Sequence, residues 1–441
     1  MVTPASAKGG RRHRATQVED GGPRALSNRP PGPRVPVGNF PTYSRWVAEV
    51  RVRESHQAGP QRALWALNAR AVLHVVEQQG PLGRPEIVRA TGLSKTTVTQ
   101  TLHSLIAHGV VAEAGVDTGR RGPAATLFTI RPGCATALGV DAGRHRVTAE
   151  LTDMRGEPLA RATVRLGPGE GLAETVVRAA RACAGQAGVA LGDVGQAVVG
   201  VRAIVGGDNR TVRLPASSLP EGSVGETGLE LVHALEAALP MPVRLENDVN
   251  LAAVAELHEG AGRDVDEFVL LGHGDGLGAG LVIGGRLHRG FAGGAGEVGH
   301  LPGPDTRRGE PVMAGAEFLG LAAAAGLPAS PGEVFALARA GDGRAREVLE
   351  RVADRLALVI ASIAMVLEPE LVVLGGPFSD EALAEPLRSV LRRDAAPLAI
   401  SLSVSGVTGD PVLRGALWEA RLRARDAVFA AAVAAGPPDK P

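Results

Sequence analysis

Ala90-Thr91-Gly92-Leu93-Ser94-Lys95-Thr96-Thr97 is the stretch that decides the fold of the first part of this 441-residue chain. Gly92 ends a short helical pattern that runs from Pro85 to Thr91, and Ser94 is a good N-cap for a further helix. Apolar residues at i, i+4 and i+7 then place one face of that helix on a core, at Val98, Leu102 and Leu105. The stretch therefore predicts two helices joined by a tight turn.

The flanking residues complete a larger motif. From Ala63 to Gln79 apolar residues recur at helical intervals until Gly80-Pro81 ends the run, at Leu64, Leu67, Val72, Val75 and Val76. Downstream, Val110 to Ala112 and Thr126 to Ile130 are typical of two strands around the basic tip Gly119-Arg120-Arg121-Gly122-Pro123. Three helices followed by such a hairpin predict a winged helix-turn-helix.

A winged helix-turn-helix points to DNA. The second helix of the motif lies in the major groove, where Lys95 can meet a phosphate or guanine and Gln100 can read adenine. A glycine-flanked arginine tip suits a minor groove. The DNA-binding candidates are Ser94, Lys95, Thr96, Thr97, Gln100, His103, Arg120 and Arg121. The alternative is a plain three-helix bundle with a hairpin, which protein-interaction modules also use.

The charge distribution supports a polyanion partner at this end of the chain. Residues 1 to 133 carry 18 Lys/Arg against 8 Asp/Glu, a net +10, and the remaining residues carry 29 against 39, a net −10. A solvated basic tail beside an ordinary acidic domain is the alternative. Residues 1–58 are rich in Pro, Gly and Arg, so we predict a disordered basic tail, and a second disordered tail at 436–441.

Length and composition exclude several classes of protein. A chain of this length predicts two or three domains. Cys134 and Cys183 suit neither a metal ribbon nor a disulfide framework, which favours a reducing compartment. No apolar run reaches the roughly 18 to 20 residues of a membrane span, and no signal-peptide core is present near residue 1. We therefore expect a cytoplasmic protein without membrane contact.

Beyond Pro132 strands and helices alternate, which predicts an α/β fold. The strands are expected at 138–140, 147–151, 160–166, 197–201, 243–245, 267–271, 280–283 and 371–374, and the helices at 172–184, 250–257, 345–367 and 412–433. Two motifs interrupt this pattern, Glu246-Asn247-Asp248 before a helix and a glycine-rich loop at 272–280. By themselves the first favours a simple helix cap, and the second is a weak pattern that a tight turn between strands would also explain.

Three motifs together resemble one known family. They are Gly92-Leu93-Ser94-Lys95, Glu246-Asn247-Asp248-Val249-Asn250, and the run from Gly290 to His300. Over about residues 65 to 425 the chain is similar to the ROK family of sugar kinases and sugar-responsive repressors, and most similar to its xylose-repressor branch. The resemblance implies a winged helix-turn-helix followed by a two-lobed actin/hexokinase-like (ribonuclease H-like) domain. The implied domains are 59–133 for DNA binding, 134–247 for the small lobe, joined by a closing helix at 411–435, and 248–410 for the large lobe.

The resemblance also implies a sugar site. Asp248 occupies the position of the kinase general base, which takes a proton from the attacking sugar hydroxyl. The sugar-binding candidates are Asn247, Asp248, Glu297, His300 and Glu317. Pro215 to Leu219 replace the usual Asn-Leu-x-Trp loop, so one sugar contact is in doubt.

The phosphate loops and the metal motif depart from the family pattern. Asp141-Ala142-Gly143-Arg144-His145 replaces Asp-x-Gly-Gly-Thr, and Asp275 replaces a Thr. A carboxylate about 4 Å from a phosphate charge costs about 4 kcal/mol at a dielectric of about 20. The degenerate loop residues are Asp141, Gly143, Arg144, Gly274, Asp275 and Gly276. From these loops we expect no ATP/Mg cofactor. No cysteine lies between His300 and Glu317, and Asp305 and Glu310 with His300 do not make a tetrahedral site, so we also expect no structural zinc.

The sequence thus predicts a transcriptional regulator without catalysis. It would repress carbohydrate-related genes as a homodimer or higher homo-oligomer on a double-stranded DNA operator, under control of a sugar or sugar-phosphate effector. Two alternatives stay open. One is an ATP-dependent sugar kinase with an appended DNA-binding domain, and the other is a ligand-independent repressor with a vestigial sugar pocket.

Overall fold

The structure, a computed structural model, describes residues 60–117, 125–209, 212–213, 228–273, 276–301, 315–394 and 400–436. Several sequence predictions lie outside these residues: the tail at 1–58, most of the tail at 436–441, Arg120, Arg121, Pro215 to Leu219, Gly274, Asp275, Asp305 and Glu310. Among the described helices, none has the length and apolar character needed to cross a membrane.

The first part of the described chain is a winged helix-turn-helix. Its elements are α1 (Pro60–Gln79), β1 (Leu82–Gly83), α2 (Arg84–Thr91), α3 (Lys95–Ala107), β2 (Val111–Asp117) and β3 (Ala125–Ile130). The strands form an antiparallel sheet in the order β1-β3-β2, with an irregularity in β2 between Glu113 and Val116. The predicted helices and strands are confirmed, although β2 continues five residues past the predicted Ala112.

Local chemistry explains the turn between α2 and α3. Gly92 has φ 70°, the left-handed conformation that glycine adopts most easily, and its N–H donates to the Val88 carbonyl. The Thr97 N–H donates to Ser94 Oγ at 3.1 Å, which caps the start of α3. The predicted glycine stop and serine cap are both confirmed.

The apolar face of α1 differs from the sequence pattern in its first turns. Val72 and Val76 are buried as expected, but Leu64 and Leu67 are 60% and 49% exposed. Fully buried positions in α1 begin at Ala69. The helical spacing identified the helix correctly, yet spacing alone does not reveal how far along a helix its packing partners extend.

The rest of the described chain contains two five-stranded sheets. The first uses β4 (Thr136–Ala142), β5 (Arg146–Asp153), β6 (Pro158–Arg165), β7 (Gln196–Val201) and β10 (Val243–Asn247); β8 (Ile204–Val205) and β9 (Val212–Arg213) form a separate two-stranded ladder. The second uses β11 (Phe268–His273), β12 (Leu277–Val282), β13 (Leu287–His288), β14 (Leu371–Leu374) and β15 (Ser401–Val404).

The two sheets repeat one arrangement. In each, the first three strands along the chain form an antiparallel meander and the last two add in parallel beside the first strand. The spatial order is therefore third, second, first, fourth, fifth in both. This repetition shows two related lobes, as the predicted actin/hexokinase-like fold requires.

Eight further helices cover these sheets in the described part of the chain. They are α4 (Leu172–Ala187), α5 (Gly228–Ala238), α6 (Asp248–Glu259), α7 (Gly315–Ala324), α8 (Pro331–Arg339), α9 (Gly343–Leu367), α10 (Glu381–Asp394) and α11 (Pro411–Ala435). Helix α6 packs on the second sheet, where a Cβ on Gly280 would lie 2.4 Å from the Ala253 Cβ. The start of α6, which carries Asp248, is thereby fixed between the two lobes' sheets.

Helix α11 connects the first lobe, α6 and the winged helix-turn-helix. Near its start, Ala416 and Ala420 share a small core with Ala137, Val198 and Leu251. A Cβ on Gly415 would lie 1.8 Å from the Leu251 carbonyl oxygen, so only glycine allows this approach to α6.

The other end of α11 belongs to the winged helix-turn-helix core. Ala432 is buried in the same cluster as Val72 and Leu102, with Val428 and Phe429 packed against it. Ser104 Oγ of α3 donates to the Gly436 carbonyl at 3.3 Å, and Arg425 pairs with Glu77 of α1 at 2.9 Å. One helix therefore contributes to the cores of both domains.

Phe429→Ala tests this shared core. The change should cost about 1 to 3 kcal/mol of local stability, less than a fully buried Phe because Phe429 is only partly buried. Hydrogen exchange of α3 amides should accelerate, whereas exchange of β4 and β7 amides should not. Leu422→Ala is the matched control, because Leu422 lies on the same helix and is 43% exposed. Equal protection of α3 in both variants would contradict the shared core.

Candidate functional site

The first candidate site is the outer face of α3. Ser94, Lys95, Thr96, Gln100 and His103 are exposed, and Thr97 is half-buried. The Ser94 and Thr97 hydroxyls lie 2.8 Å apart and serve the helix cap. This leaves Lys95, Thr96, Gln100 and His103 as the outward-facing side chains at helical spacing.

The opposite face of α3 holds the helix in place. Val98, Leu102 and Leu105 are fully buried, as the sequence pattern predicts. Thr101 and Ser104 are also buried, which the sequence pattern did not indicate. The exposed face is therefore presented by a helix that is fixed on its inner side, as a surface for groove recognition requires.

The second candidate site lies at the start of α6, between the lobes. Asn247 caps α6 by accepting the Asn250 N–H at 3.0 Å, and its amide donates to the Ala203 carbonyl at 3.0 Å. Asp248 is half-buried, and its Oδ2 lies 3.8 Å from Arg202 Nε. The structure thus uses Asn247 to fix the backbone and leaves Asp248 as the side chain that can meet a ligand.

Other carboxylates surround Asp248. Asp141 lies at the end of β4, and burial raises its pKa to about 7, with the carboxylates of Asp410 and Asp248 adding to the rise and Arg202 opposing it. Burial also raises the pKa of Asp248, again against Arg202. Arg146 opposes the rise at Asp141 as well, and the raised pKa values of both carboxyls show that burial here favours their neutral forms.

The predicted sugar contacts are only partly brought together. Glu297 is close enough to Asp248 to raise its pKa through charge repulsion, after the larger effect of burial. His300 follows three residues later, at the end of a short 3-10 turn from Val298 to His300, and is exposed. Glu317, in contrast, forms an ion pair with Arg355 of α9. Asp248 and Glu297 are therefore the pair that the described geometry places in one site.

Arg289 is a site residue that the sequence analysis missed. Its Nε lies 2.6 Å from Oε2 of the buried Glu246, and its Nη2 lies 2.9 Å from Oε1 of Glu419 on α11. Burial alone would lower the pKa of Arg289, but Glu246 and Glu419 together raise it, so the guanidinium stays charged. The available signal was its position directly before the Gly290 motif.

Glu246 connects Arg289 to the sugar-site backbone. Its Oε1 accepts the Asn247 N–H and the Asn250 side-chain amide, each at 3.0 Å. Strand β10, the segment that runs from Arg289 to Glu297, and α11 therefore meet in one ionic network around the buried Glu246.

The described residues of the two phosphate loops differ in the space around their glycines. A Cβ on Gly143 would lie 3.1 Å from the Arg146 carbonyl oxygen, so this turn closes on its own backbone, whereas a Cβ on Gly276 would meet none of the described atoms within 4 Å. Asp141 Oδ2 would lie 3.7 Å from a Cβ on Gly143, and Asp248 is among the charges that raise the pKa of Asp141. Within the described residues no group of three or more His, Cys, Asp or Glu side chains is arranged to hold a metal ion.

Asp141→Asn tests the electrostatics of the site. The folded pKa of about 7 exceeds the ordinary 3.8, so the folded state binds more protons between these values and loses stability as pH rises. The variant's gain in unfolding free energy should therefore grow by about 1 kcal/mol per pH unit up to about pH 7, then level off. Urea unfolding measures it, with the exposed Asp193→Asn as control. A pH-independent difference would refute the assignment.

Comparison with known proteins identifies relatives of both parts. The ROK family model matches residues 137–397, and the model of the IclR helix-turn-helix domain matches residues 67–115. A xylose repressor from Caldicellulosiruptor bescii is 24% identical over 371 residues, 76% of this chain and 90% of that protein. The DNA-binding transcriptional dual regulator NagC of Escherichia coli is 25% identical over 350 residues, 75% of this chain and 85% of NagC.

Other relatives cover different shares of the chain. An uncharacterised Clostridium perfringens protein is 36% identical over 153 residues, 34% of this chain, which spans about half (52%) of that protein. Among solved structures, a ROK family transcriptional regulator homologous to the E. coli MLC protein has a TM-score of 0.69 at 22% identity, covering 85% of this chain and 100% of that one. A ROK hexokinase from Thermus thermophilus has a TM-score of 0.53 at 29% identity, covering 66% and 99%. With its family match over more than half its length, the chain belongs to the ROK family.

Proposed function

We propose that this protein is a DNA-binding transcriptional repressor of carbohydrate-related genes, controlled by a sugar or sugar phosphate in its ROK domain. The observation that carries the proposal is the capped, outward-facing α3 on a core that also contains α11 of the ROK domain. The printed names of the xylose repressor and NagC, each aligned over about three quarters of this chain, support it.

The DNA-binding mode follows from the geometry of α3. Lys95 and Thr96 at its exposed start would meet phosphates, and Gln100 and His103 would meet base edges in the major groove. Arg120 and Arg121, outside the described residues, would enter the adjacent minor groove. Two copies related by a two-fold axis would contact half-sites about 34 Å apart, or a multiple of that distance.

Control by a ligand would use the network around Arg289. A sugar held by Asp248 and Glu297 would act on the backbone that Glu246 and Arg289 fix, and Arg289 binds Glu419 of α11 directly. The far end of α11 packs under α3 through Ala432. Such a ligand changes the affinity for DNA only if it binds two arrangements of the lobes with different affinity.

A sugar kinase is the competing function, favoured by Asp248 and by the likeness to the Thermus hexokinase. The phosphate loops weigh against it. Arg144-His145 and Asp275 depart from the family pattern, and Asp141 Oδ2 would lie 3.7 Å from a Cβ placed on Gly143. We therefore propose a ROK domain without ATP-dependent catalysis, without a structural zinc and located in the cytoplasm.

Lys95→Ala and Gln100→Ala test the DNA interface, using operator fragments selected from genomic DNA on the wild-type protein. Lys95→Ala should weaken binding to all sequences and reduce the salt slope by about 1, because one phosphate contact is lost. Gln100→Ala should cost about 1 to 3 kcal/mol and relax preference at one base pair. Arg181→Ala removes an equal charge from an exposed position on α4 and should change neither. Undiminished affinity in both test variants would refute the interface.

A panel of sugars with ATP tests the competing function. Wild-type turnover should not exceed that of Asp248→Asn with any sugar, while one or more sugars or sugar phosphates should raise the thermal midpoint of the wild type. Sugar-dependent turnover that Asp248→Asn abolishes would establish the kinase instead. Absence of stabilisation by the whole panel would favour a ligand-independent repressor.

A further inference from the structure

Three arginines come together from β10, from the segment after β13 and from α11. Arg244 lies on β10, Arg289 directly follows β13, and Arg423 lies on α11 one turn after Glu419. Arg289 pairs with both Glu246 and Glu419, and Arg423 Nε lies 3.4 Å from Oε2 of the same Glu419. We call Arg244, Arg289 and Arg423 the arginine cluster.

The arginine cluster carries more positive charge than its two carboxylates neutralise. Burial lowers the pKa of Arg244, the charges of Arg423 and Arg289 lower it further, and Glu246 and Glu419 oppose the change. Three guanidiniums and two carboxylates leave this group of five side chains with a net charge of +1, three minus two. Because like charges repel strongly where water is partly excluded, the group attracts a further anion.

Two of the guanidiniums have a buried N–H without an acceptor. Arg244 Nε and Arg423 Nε are buried atoms, and neither has a hydrogen-bond partner among the described residues. The hydrogen bond of Arg244 is made elsewhere, from Nη1 to the Gly207 carbonyl at 3.3 Å. Buried donors are nearly always paired with protein, water or an ion. Both N–H groups therefore call for an acceptor that the described protein atoms around them do not provide.

The cluster is partly open to solvent, so a small ligand can reach it. The side chain of Arg423 is 37% exposed, that of Arg289 is 22% exposed, and Arg244 is half-buried. A guanidinium is a planar fork of N–H donors that matches the oxygen atoms of a phosphate group, and partial burial reduces screening by salt. A compact tetrahedral oxyanion is therefore the ligand class that fits both the excess charge and the two donors.

The cluster is separate from the proposed sugar site. Arg244 precedes Asp248 by four residues of mostly extended chain, which corresponds to about 13 Å at roughly 3.3 Å per residue. The charges that act most strongly on Asp248 are those of Arg202 and Glu297, not those of the cluster. A phosphate held by Arg244 and Arg423 would therefore not occupy the place of a sugar at Asp248.

We propose that the arginine cluster is a binding site for a phosphate group, held by Arg244 and Arg423 with Arg289 beside them. The ligand is inorganic phosphate or the phosphoryl group of a small phosphate ester. Because Arg244 belongs to the first sheet and Arg423 to α11, the phosphate would bridge this lobe and the helix that reaches the winged helix core through Ala432. The inference goes beyond the proposed function, since it requires neither a sugar nor DNA.

Isothermal titration of the full-length protein with inorganic phosphate at constant ionic strength tests the site. The wild type should bind one phosphate per chain. Arg244→Gln and Arg423→Gln should each weaken binding at least tenfold, because each removes one charged donor group. Arg181→Gln removes the same charge from an exposed position on α4 and should bind phosphate like the wild type. Circular dichroism shows whether each variant is folded.

Glu419→Gln gives a second measurement with the opposite sign, so the site can be tested even if the arginine variants fail to fold. The change removes one of the two carboxylates that compete with phosphate for the cluster. Affinity for inorganic phosphate should therefore rise at least threefold. Glu174→Gln, at an exposed position on α4, is the matched control and should leave the affinity unchanged.

Competition separates the two sources of the phosphate group. Displacement of inorganic phosphate by glucose 6-phosphate, but not by glucose, would show that the cluster also accepts phosphate esters, and displacement by neither would assign it to free phosphate. Displacement by glucose would place the phosphate in the sugar site and overturn the proposal. Absence of phosphate binding, equal affinity in folded Arg244→Gln and Arg423→Gln, or weaker binding in Glu419→Gln would also overturn it.

The outcome is independent of the proposed function. If phosphate binds as expected but the protein selects no DNA, the phosphate site stands and the proposed function fails. If DNA is selected but phosphate does not bind, the proposed function stands and the phosphate site fails.

Discussion

Val428, Phe429 and Ala432 of α11 fill the space against α1 and α3, so the winged helix-turn-helix does not close its core with its own residues. The same helix packs through Gly415 and Ala416 on α6 and the first sheet, where a larger residue than glycine would collide with Leu251. Because packed interiors shift between discrete arrangements and do not deform freely, movement of one lobe must be accommodated along α11. Helix α11 therefore contacts both the core beneath α3 and the helix that carries Asp248.

Ion pairs also join the site at Asp248 to α11. Glu246 is buried and pairs with Arg289, and Arg289 also pairs with Glu419, so β10, the segment that begins at Arg289 and α11 are joined by charge-assisted hydrogen bonds. Buried networks of this kind specify a unique arrangement because each partner left alone would be costly. Around Asp141 and Asp248, in contrast, burial and neighbouring carboxylates raise the pKa of both carboxyls. This part of the site therefore favours their neutral forms.

Much of this architecture could be predicted from the sequence. The Gly92 stop, the Ser94 cap and the buried face of α3 follow from local chemistry, and the strand-helix alternation follows from hydrophobic patterning. Helices α5, α7, α8 and α10 were not predicted, and neither were the exposure of Leu64 and Leu67 or the Arg289 network. The Arg289 network depends on contacts between residues more than 40 positions apart, with Glu246 and Glu419, which spacing along the chain does not encode.

The position of Ala432 in the winged helix core also has a consequence for protein synthesis. The DNA-binding residues are translated early, yet the residues that complete their core follow roughly 300 residues later. At about 5 to 20 residues per second, a ribosome needs roughly 15 to 60 seconds to cover that distance. Until then the nascent domain exposes apolar surface where Ala432 and Phe429 will pack. The order of the chain therefore delays a complete DNA-binding surface until the domain proposed to control it has been made.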